Sequence, residues 1–399
     1  MVVGRPTPHG CGLERCPYDP SVYSVNVSDG AMGGQLNSTL YVDDGRVAWD
    51  PAPAAAKKAT DVKSKLGPKF GIEFGRDDPD ETHFLGANIW RDRSRKVASV
   101  RATSYIDLQV KRYADGDVTA PKFPAHWSTL PADETLVREW ESAMATRTPA
   151  SPALLKRYQS LYGALLHTTK FRPEISAAMG LLGSCLTFPT EQLYECLMHV
   201  LVYLGRSRNV GTTFSAHAPD AKQMRAYADS NWGVTRSTTG FVIMLAGAAI
   251  CCVSRRQHCI TMSSCEAELV ALADAAIELL HMRAVVNFLG HETSGAIEVC
   301  TDSKAAYDLC HRFTSAQNSR HVDRKMFKMR ELRGAGTVTV RHIPGETNPA
   351  DLFTKILSRQ PFEKHRKVVL NLPANHGVEQ QRAVAARPAS SQRDGTGAP

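Results

Sequence analysis

Apolar and polar positions follow three successive patterns along the chain, and each predicts a different kind of structure. Early on, residues 22–27 alternate in a way that suits a half-buried strand, with Asp29-Gly30 and Gly33-Gly34 as turn signals. Residues 40–44 read as a second strand, after which Gly45 permits a tight turn. PAPAAAKKATDVKSKLG then opens a lysine-rich helix. THFLGANIWRDRSRKVASV reads as two strands joined by a basic turn at 91–96. Residues 116–150 are polar and punctuated by proline, so they read as a linker or an irregular crossing. Between 152 and 206 the apolar spacing becomes helical in LLKRYQSLYGALLHTT, PEISAAMGLLGSCL and TEQLYECLMHVLVYLGRS, with Pro173 and Thr190 at helix starts.

From Met224 the pattern changes again. MRAYADSNW reads as a strand, and GFVIMLAGAAICCV and RRQHCITM as two more, the longest apolar run being broken by Gly247. SSCEAELVALADAAIELLHMRAVVNFLG reads as one long helix, capped by Ser263 or Ser264 and stopped at Gly290. IEVCTDS is a strand, KAAYDLCHR and DRKMFKMRELRG are helices, TVTVRHIPG is the last strand and NPADLFTKIL a short helix. The order β-β-β-α-β-α-α-β-α describes one α/β domain. After about residue 367 the chain turns polar and loses its periodicity, which predicts disorder. The expected divisions are 1–115, 116–222, 223–357 and a loose tail, 358–399.

A length of 399 residues suffices for two or three domains with real cores. With 22% charged and 43% hydrophobic residues, the composition is that of an ordinary soluble globular protein. The net charge of +8 agrees with a polyanionic partner without requiring one. No apolar run approaches the ~20 residues of a membrane span, so no membrane association is expected. MVVGRPTPHG lacks the apolar centre of a signal peptide. The ten cysteines are scattered, which reads as buried thiols in a reducing compartment. Cys251, Cys252, Cys259 and Cys265 cluster around His258, but the paired C-x₂-C spacing of a zinc site is absent.

Acidic residues fall at strand ends and helix starts in the last domain. Asp229 ends its first strand, Glu266 and Glu268 open the long helix, Asp302 ends a later strand and Asp351 opens the final helix. Groups so placed can converge although they are far apart in sequence. Carboxylates suit Mg²⁺, which binds through a few of them together with waters and phosphate. Two such ions ~3.5–4 Å apart clamp the attacking water and the leaving oxygen of a phosphodiester. For any one aspartate, a turn or helix cap is the alternative.

The ordered series AYADSNW, RSTTGFV, SSCEAELVAL, CTDSKAA, RHVDRK and NPADLFTK resembles the ribonuclease H domain of copia-type LTR retrotransposons. LYVDDG, FLG and RPEIS resemble the reverse transcriptase that precedes it in the same polyprotein. The resemblance covers roughly residues 10–360. It implies a ribonuclease H-like α/β fold with a mixed five-stranded sheet, preceded by a partial α+β polymerase palm and a helical thumb and connection region. It implies hydrolysis of RNA in RNA–DNA hybrids with two Mg²⁺ ions, or Mn²⁺ in their place. Asp229, Glu268, Asp302 and Asp351 would be the catalytic carboxylates and metal ligands. Glu266 is the alternative to Glu268, because the two lie ~200° apart on a helix and only one can face the ions. Glu268 fits the family's E-L-x-A frame. Many ribonucleases H carry histidine in a V-P-x-H loop, where this chain has Ile343-Pro344-Gly345-Glu346. His321 is a candidate near the substrate, and His342 reads as packed or exposed.

In the polymerase-like part the resemblance makes Asp43 a metal ligand and Asp44 its neighbour, with Tyr41 and Val42 beneath the primer end and Phe84-Leu85-Gly86 helping to hold it. The third carboxylate of such a site belongs to an earlier strand, and only Asp19 and Asp29 are near. The expectation is therefore that this part is truncated and inactive alone. Candidate phosphate contacts are Arg236, Ser237, Arg255, Arg256, Arg320 and Lys325, with Lys355, the lysine helix and the 91–96 turn extending the track. Trp232 reads as core, with stacking on a sugar as the alternative. Expected partners are an RNA–DNA hybrid and other retrotransposon Pol products. The expected location is cytoplasmic, in a virus-like particle, or nuclear. A non-catalytic nucleic-acid-binding relic is the competing reading.

Overall fold

The structure is a computed structural model that describes residues 11–28, 33–41, 44–70, 74, 80–233, 236–293, 295–311 and 320–373, without the side chains of 69, 70 and 320–323. Asp29-Gly30, Val42, Asp43, the side chains of Arg320 and His321, and the tail from 374 onward lie outside the described residues.

The first unit is an antiparallel sheet of β1 (Glu14–Arg15), β2 (Val22–Ser28), β3 (Gly33–Tyr41) and β4 (Asp44–Trp49), in that order. Helix α1 (Pro53–Phe70) covers it by burying Ala59, Val62 and Leu66 against Leu13, Tyr23 and Leu36. Three of its lysines are engaged: Lys58 and Lys65 pair with Asp61, and Lys63 lies 4.9 Å from the Trp49 ring centroid.

A second antiparallel sheet holds β5 (Glu81–Phe84), β6 (Ala87–Asp92) and β7 (Val97–Arg101), so the expected two strands are three, with Leu85-Gly86 as the extra turn. Leu85 and Gly86 both have positive φ, 51° and 83°. The helices α2 (Thr103–Tyr113), α3 (Glu134–Thr146), α4 (Pro152–Thr168), α5 (Ser176–Gly183) and α6 (Glu191–Arg206) follow. Then β8 (Gly211–Ser215) returns to complete the second sheet beside β7. Helix α3 forms inside the segment expected to be irregular. Asp133 caps it by accepting from Thr135 N at 2.9 Å, and Leu136 and Ala143 anchor it in the helical core.

The third sheet has the order β11-β10-β9-β12-β13, from β9 (Arg225–Asn231), β10 (Thr238–Leu245), β11 (Ala248–Arg256), β12 (Ile297–Thr301) and β13 (Val338–His342). Strands β9, β10 and β11 are antiparallel, while β12 runs parallel to β9 and β13 parallel to β12. This is the expected mixed five-stranded sheet. Its helices are α7 (Ser264–Phe288), α8 (Lys304–His311) and α9 (Arg320–Gly334). A turn at Ala246 and Gly247, φ 51° and 83°, folds the long apolar run into the β10–β11 hairpin. Strand pairing stops at Arg256, so RRQHCITM is not the separate strand expected. There Gln257 turns inward and donates to Thr239 Oγ1 and Ala267 O, fixing the loop to the start of α7.

Both faces of this sheet are buried. Phe241 and Ile243 pack under α7 with Leu269, Leu272 and Leu279, whereas Val242, between them, joins the core of the helical unit. Period-two alternation with both sides covered explains why the strand reads as a continuous apolar run. Helix α10 (Arg359–Leu370) closes the helical unit, where a loose tail was expected. It buries Phe362, His365, Arg366, Val369 and Leu370 along one stripe. Its arginine joins an internal polar network: Arg366 donates through one terminal nitrogen to the Tyr203 hydroxyl, which donates to Glu174, the buried partner of Arg172 at 2.7 Å.

Candidate active site

Asp229 lies near the end of β9 and is 2% exposed. Its register partner on β10 is Gly240. A Cβ at Gly240 would stand 2.5 Å from Thr354 Cγ2 and 2.9 Å from Phe353 Cβ, so glycine is what lets the 3₁₀ turn Pro349–Phe353 lie on the sheet beside Asp229. Asn348, fully buried, pins that turn by donating to Ala228 O at 3.0 Å and accepting from Ala350 N at 3.2 Å.

The two helix glutamates separate by function. Ser263 caps α7 by accepting from Glu266 N at 3.2 Å, and Glu266 Oε2 reaches back to accept from Met262 N at 2.6 Å. This is a variant of the capping box, and the acid also sits at the favourable end of the helix dipole. Glu268 instead faces the sheet. Its Oε1 accepts from Ser230 N at 3.1 Å and Ser230 Oγ at 3.0 Å, while Oε2 is buried without a hydrogen-bond partner.

Asp302 follows β12, and Gly345 of the next loop comes close to its Oδ2. Oxygens of Asp229, Glu268 and Asp302 all lie within 4.8 Å of one another. Asp351 stands outside this trio and is joined to it through Lys355, which lies 2.7 Å from Asp351 and 3.3 Å from Asp229. Thr354 Oγ1 donates to Asp229 Oδ2. Burial first, then the charges of Asp351 and Asp302, raise the Asp229 pKa, against the pull of Lys355 and Thr354. Burial and the Asp229 charge push Glu268 from its ordinary 4.5 to about 8. Three carboxylates crowded in a low-dielectric site with one oxygen unpartnered are poised for a cation. The donors are all oxygens, the chemistry that Mg²⁺ or Mn²⁺ takes.

No protein-family model matches the chain. The retrovirus-related Pol polyprotein of transposon TNT 1-94 from Nicotiana tabacum is 25% identical over 356 residues, covering 88% of this chain and 25% of the relative. That of transposon RE2 from Arabidopsis thaliana is 27% identical over 357 residues, covering 85% of this chain and 22% of the relative. The chain is similar to retrovirus-related Pol polyproteins over most of its length. It spans about a quarter of the length of the curated relatives it matches. Ribonuclease H1 of the halophilic archaeon Halobacterium salinarum superposes on 33% of this chain and 93% of its own, at 20% identity and a TM-score of 0.27. The sheet order and register described above define the fold.

The remaining expected contacts of this Pol-related chain divide. Arg236 and Arg256 are exposed. Arg255 and Lys325 both pair with Asp274, at 3.0 and 2.6 Å. Ser237 is fully buried and shares a hydrogen bond with Thr261 Oγ1 at 2.8 Å, so it holds the loop and is withdrawn as a phosphate contact. Trp232 is 55% exposed with its Nε1 donating to Thr261 O, and is therefore not core. His342 is exposed, with Nε2 3.1 Å from Asp302 O. In the first unit Tyr41 is 57% exposed and pairs with Asp44 across β3 and β4. Asp44 accepts from Leu85 N at 3.4 Å, tying this hairpin to the FLG turn. Sequence reasoning missed Gly240, Asn348 and Ser230. Each lies in a motif already noted, Ser230 in AYADSNW, Gly240 in RSTTGFV and Asn348 in NPADLFTK, but the role of Gly240 depends on a turn far along the chain that only the fold brings to it.

Proposed function

We propose that the Pol-related chain is a metal-dependent endoribonuclease of the ribonuclease H type, which hydrolyses the RNA strand of RNA–DNA hybrids. One observation carries this reading: carboxylates from three separate elements converge to within 4.8 Å, with the buried Glu268 Oε2 unpartnered among them. Asp229, Glu268 and Asp302 would hold a divalent ion, and Asp351 would join for a second. Bound there, such ions lower the pKa of water and offset charge on a phosphodiester.

The protein's own groups set the rest. Ser230 fixes Glu268 through Oε1 and leaves Oε2 free to bind. Thr354 and Asn348 hold Asp229 and the Asp351 turn in register. Beside the carboxylates a cleft of about 230 Å³ is lined by Arg236, Arg255, Arg256, Lys355 and Trp140. Guanidinium groups suit phosphate oxygens, and a site built on phosphates and shape reads an A-like helix rather than base sequence. The hybrid strand's phosphates would lie along this cleft.

The test is cleavage of a labelled RNA strand in an RNA–DNA hybrid by the full chain, with Mg²⁺ and with EDTA, beside Asp302→Asn. Metal-dependent cutting that is lost in the variant supports the proposal. Folded protein that binds the hybrid without cutting it would favour the non-catalytic binding reading instead.

A further inference from the structure

A lysine already occupies part of the carboxylate cluster. Lys355 Nζ lies 2.7 Å from Asp351 Oδ1 and 3.3 Å from Asp229 Oδ2. The two acids are 17% and 3% exposed and the lysine 40%, so the ammonium reaches in from the solvent side to acids that are largely covered. The four carboxylates are thus unequal. Asp229, Glu268 and Asp302 form an open trio, whereas Asp229 and Asp351 share a cation that the chain itself supplies. The lysine backbone is fixed, since Lys355 N donates to Asp351 O at 3.1 Å and Thr354 is tied to Asp229. Its four-carbon stem is not fixed in this way, and the ammonium can leave by side-chain rotation alone. The space on its outer side is the cleft lined by Arg236, Arg255 and Arg256.

We propose that Lys355 is a resident stand-in for the second metal ion: it holds the Asp229–Asp351 notch closed until a substrate phosphate draws the ammonium into the arginine-lined cleft. This rests on the metal-dependent reading above. A divalent ion then fills the open trio first. The second position opens readily when Lys355 exchanges two carboxylates for a phosphate, and otherwise only at high metal concentration, in competition with the ammonium, which couples its loading to the presence of a polyanion. The exchange keeps the site's charge in balance. Two divalent ions and an ammonium crowded around the same carboxylates repel one another, whereas an incoming phosphate brings the negative charge that retains the lysine nearby.

The experiment is Mn²⁺ binding to the full chain without nucleic acid, followed by the spin resonance of free Mn²⁺. The wild type is expected to bind one ion, with a second weaker by a factor of at least about ten. Lys355→Met is expected to narrow that gap to about threefold or less, while Lys355→Arg, which keeps the charge, retains it. Identical isotherms for the wild type and Lys355→Met would overturn the proposal and leave the metal-dependent reading standing. A wild type that binds no Mn²⁺ would instead remove that reading, and this one with it. A second measurement needs no variant: acetylation of the Lys355 amine in the wild type, read by mass spectrometry, should speed up when saturating Mn²⁺ is added. An unchanged rate would also overturn the proposal.

Discussion

Replacing Glu268 by glutamine should make the metal-free protein more stable while removing its response to metal. With a folded pKa of about 8 against an ordinary 4.5, Glu268 keeps its proton in the native state and loses it on unfolding. The unfolded chain therefore binds fewer protons between those values, and stability falls as pH rises from about 4.5 to about 8. At pH 8 the full difference would amount to roughly 4–5 kcal/mol. Partial solvent access and coupling to Asp229 reduce it, and about 2 kcal/mol is the working figure. Glutamine keeps the acceptor that Ser230 uses and places an amide N–H₂ where Oε2 has no partner. That amide can donate to Asp229 or Asp302. The expected rise in melting temperature in EDTA at pH 8 is roughly 3–6 °C. Thermal melts of both proteins from pH 5 to pH 8.5, in EDTA and in excess Mg²⁺, provide the test. The wild type should lose stability with rising pH in EDTA and regain it with Mg²⁺, while the variant should show a flatter profile and little gain. A variant that melts below the wild type in EDTA, or gains as much from Mg²⁺, would refute the assignment of Glu268 as a strained metal ligand.

Further expectations concern the groups around the trio. Glu266→Ala should cost about 0.5–1 kcal/mol in urea unfolding, because it removes only a helix cap, and should leave hybrid cleavage within about twofold of the wild type. Asn348→Ala, which strips two buried hydrogen bonds from the Asp351 turn, should cost about 2–4 kcal/mol by the same assay and slow cleavage as well. Gly240→Val should displace the turn carrying Thr354 and Lys355, with cleavage falling more than about tenfold while far-ultraviolet circular dichroism stays native; Gly240→Ala should be milder.

Much of this could be read in the sequence where side-chain chemistry and geometry agree. The β10 run Phe241-Val242-Ile243 signals a strand with both faces covered, and Gly247 marks its turn. Ser263 and Gly290 bound α7 as their cap chemistry requires. Failures occur where burial and polarity part company. Helix α10 buries positions 362, 365, 366, 369 and 370, a clean helical stripe, but two of the five are His365 and Arg366, which a hydropathy pattern scores as surface. Ser237 looks like a phosphate donor in a basic stretch and is in fact a buried link to Thr261. Helical phase alone could not choose between Glu266 and Glu268. The choice becomes visible only once the loop before α7 presents Met262 N to one and the sheet presents Ser230 to the other. Lys355 could be seen beside the last carboxylate, but its contact with Asp229, 126 residues earlier in the chain, depends on the fold.

The placement of α10 has a consequence for how the chain matures on the ribosome. The core of the helical unit contains Leu197, Leu201 and Tyr203 of α6 together with Phe362, Val369 and Leu370 of α10. By the time those last side chains emerge, more than 150 residues have been synthesised since α6. Until then the helical segment holds an open apolar face, and so does the far side of the sheet that it will cover. Arg172 and Glu174 precede α10 in the chain, so their link to Arg366 through Tyr203 can form only after α10 has emerged. Nascent chains stalled before α10 should therefore engage holdase chaperones and resist compaction, whereas chains stalled a few tens of residues beyond it should become protease-resistant in a single step.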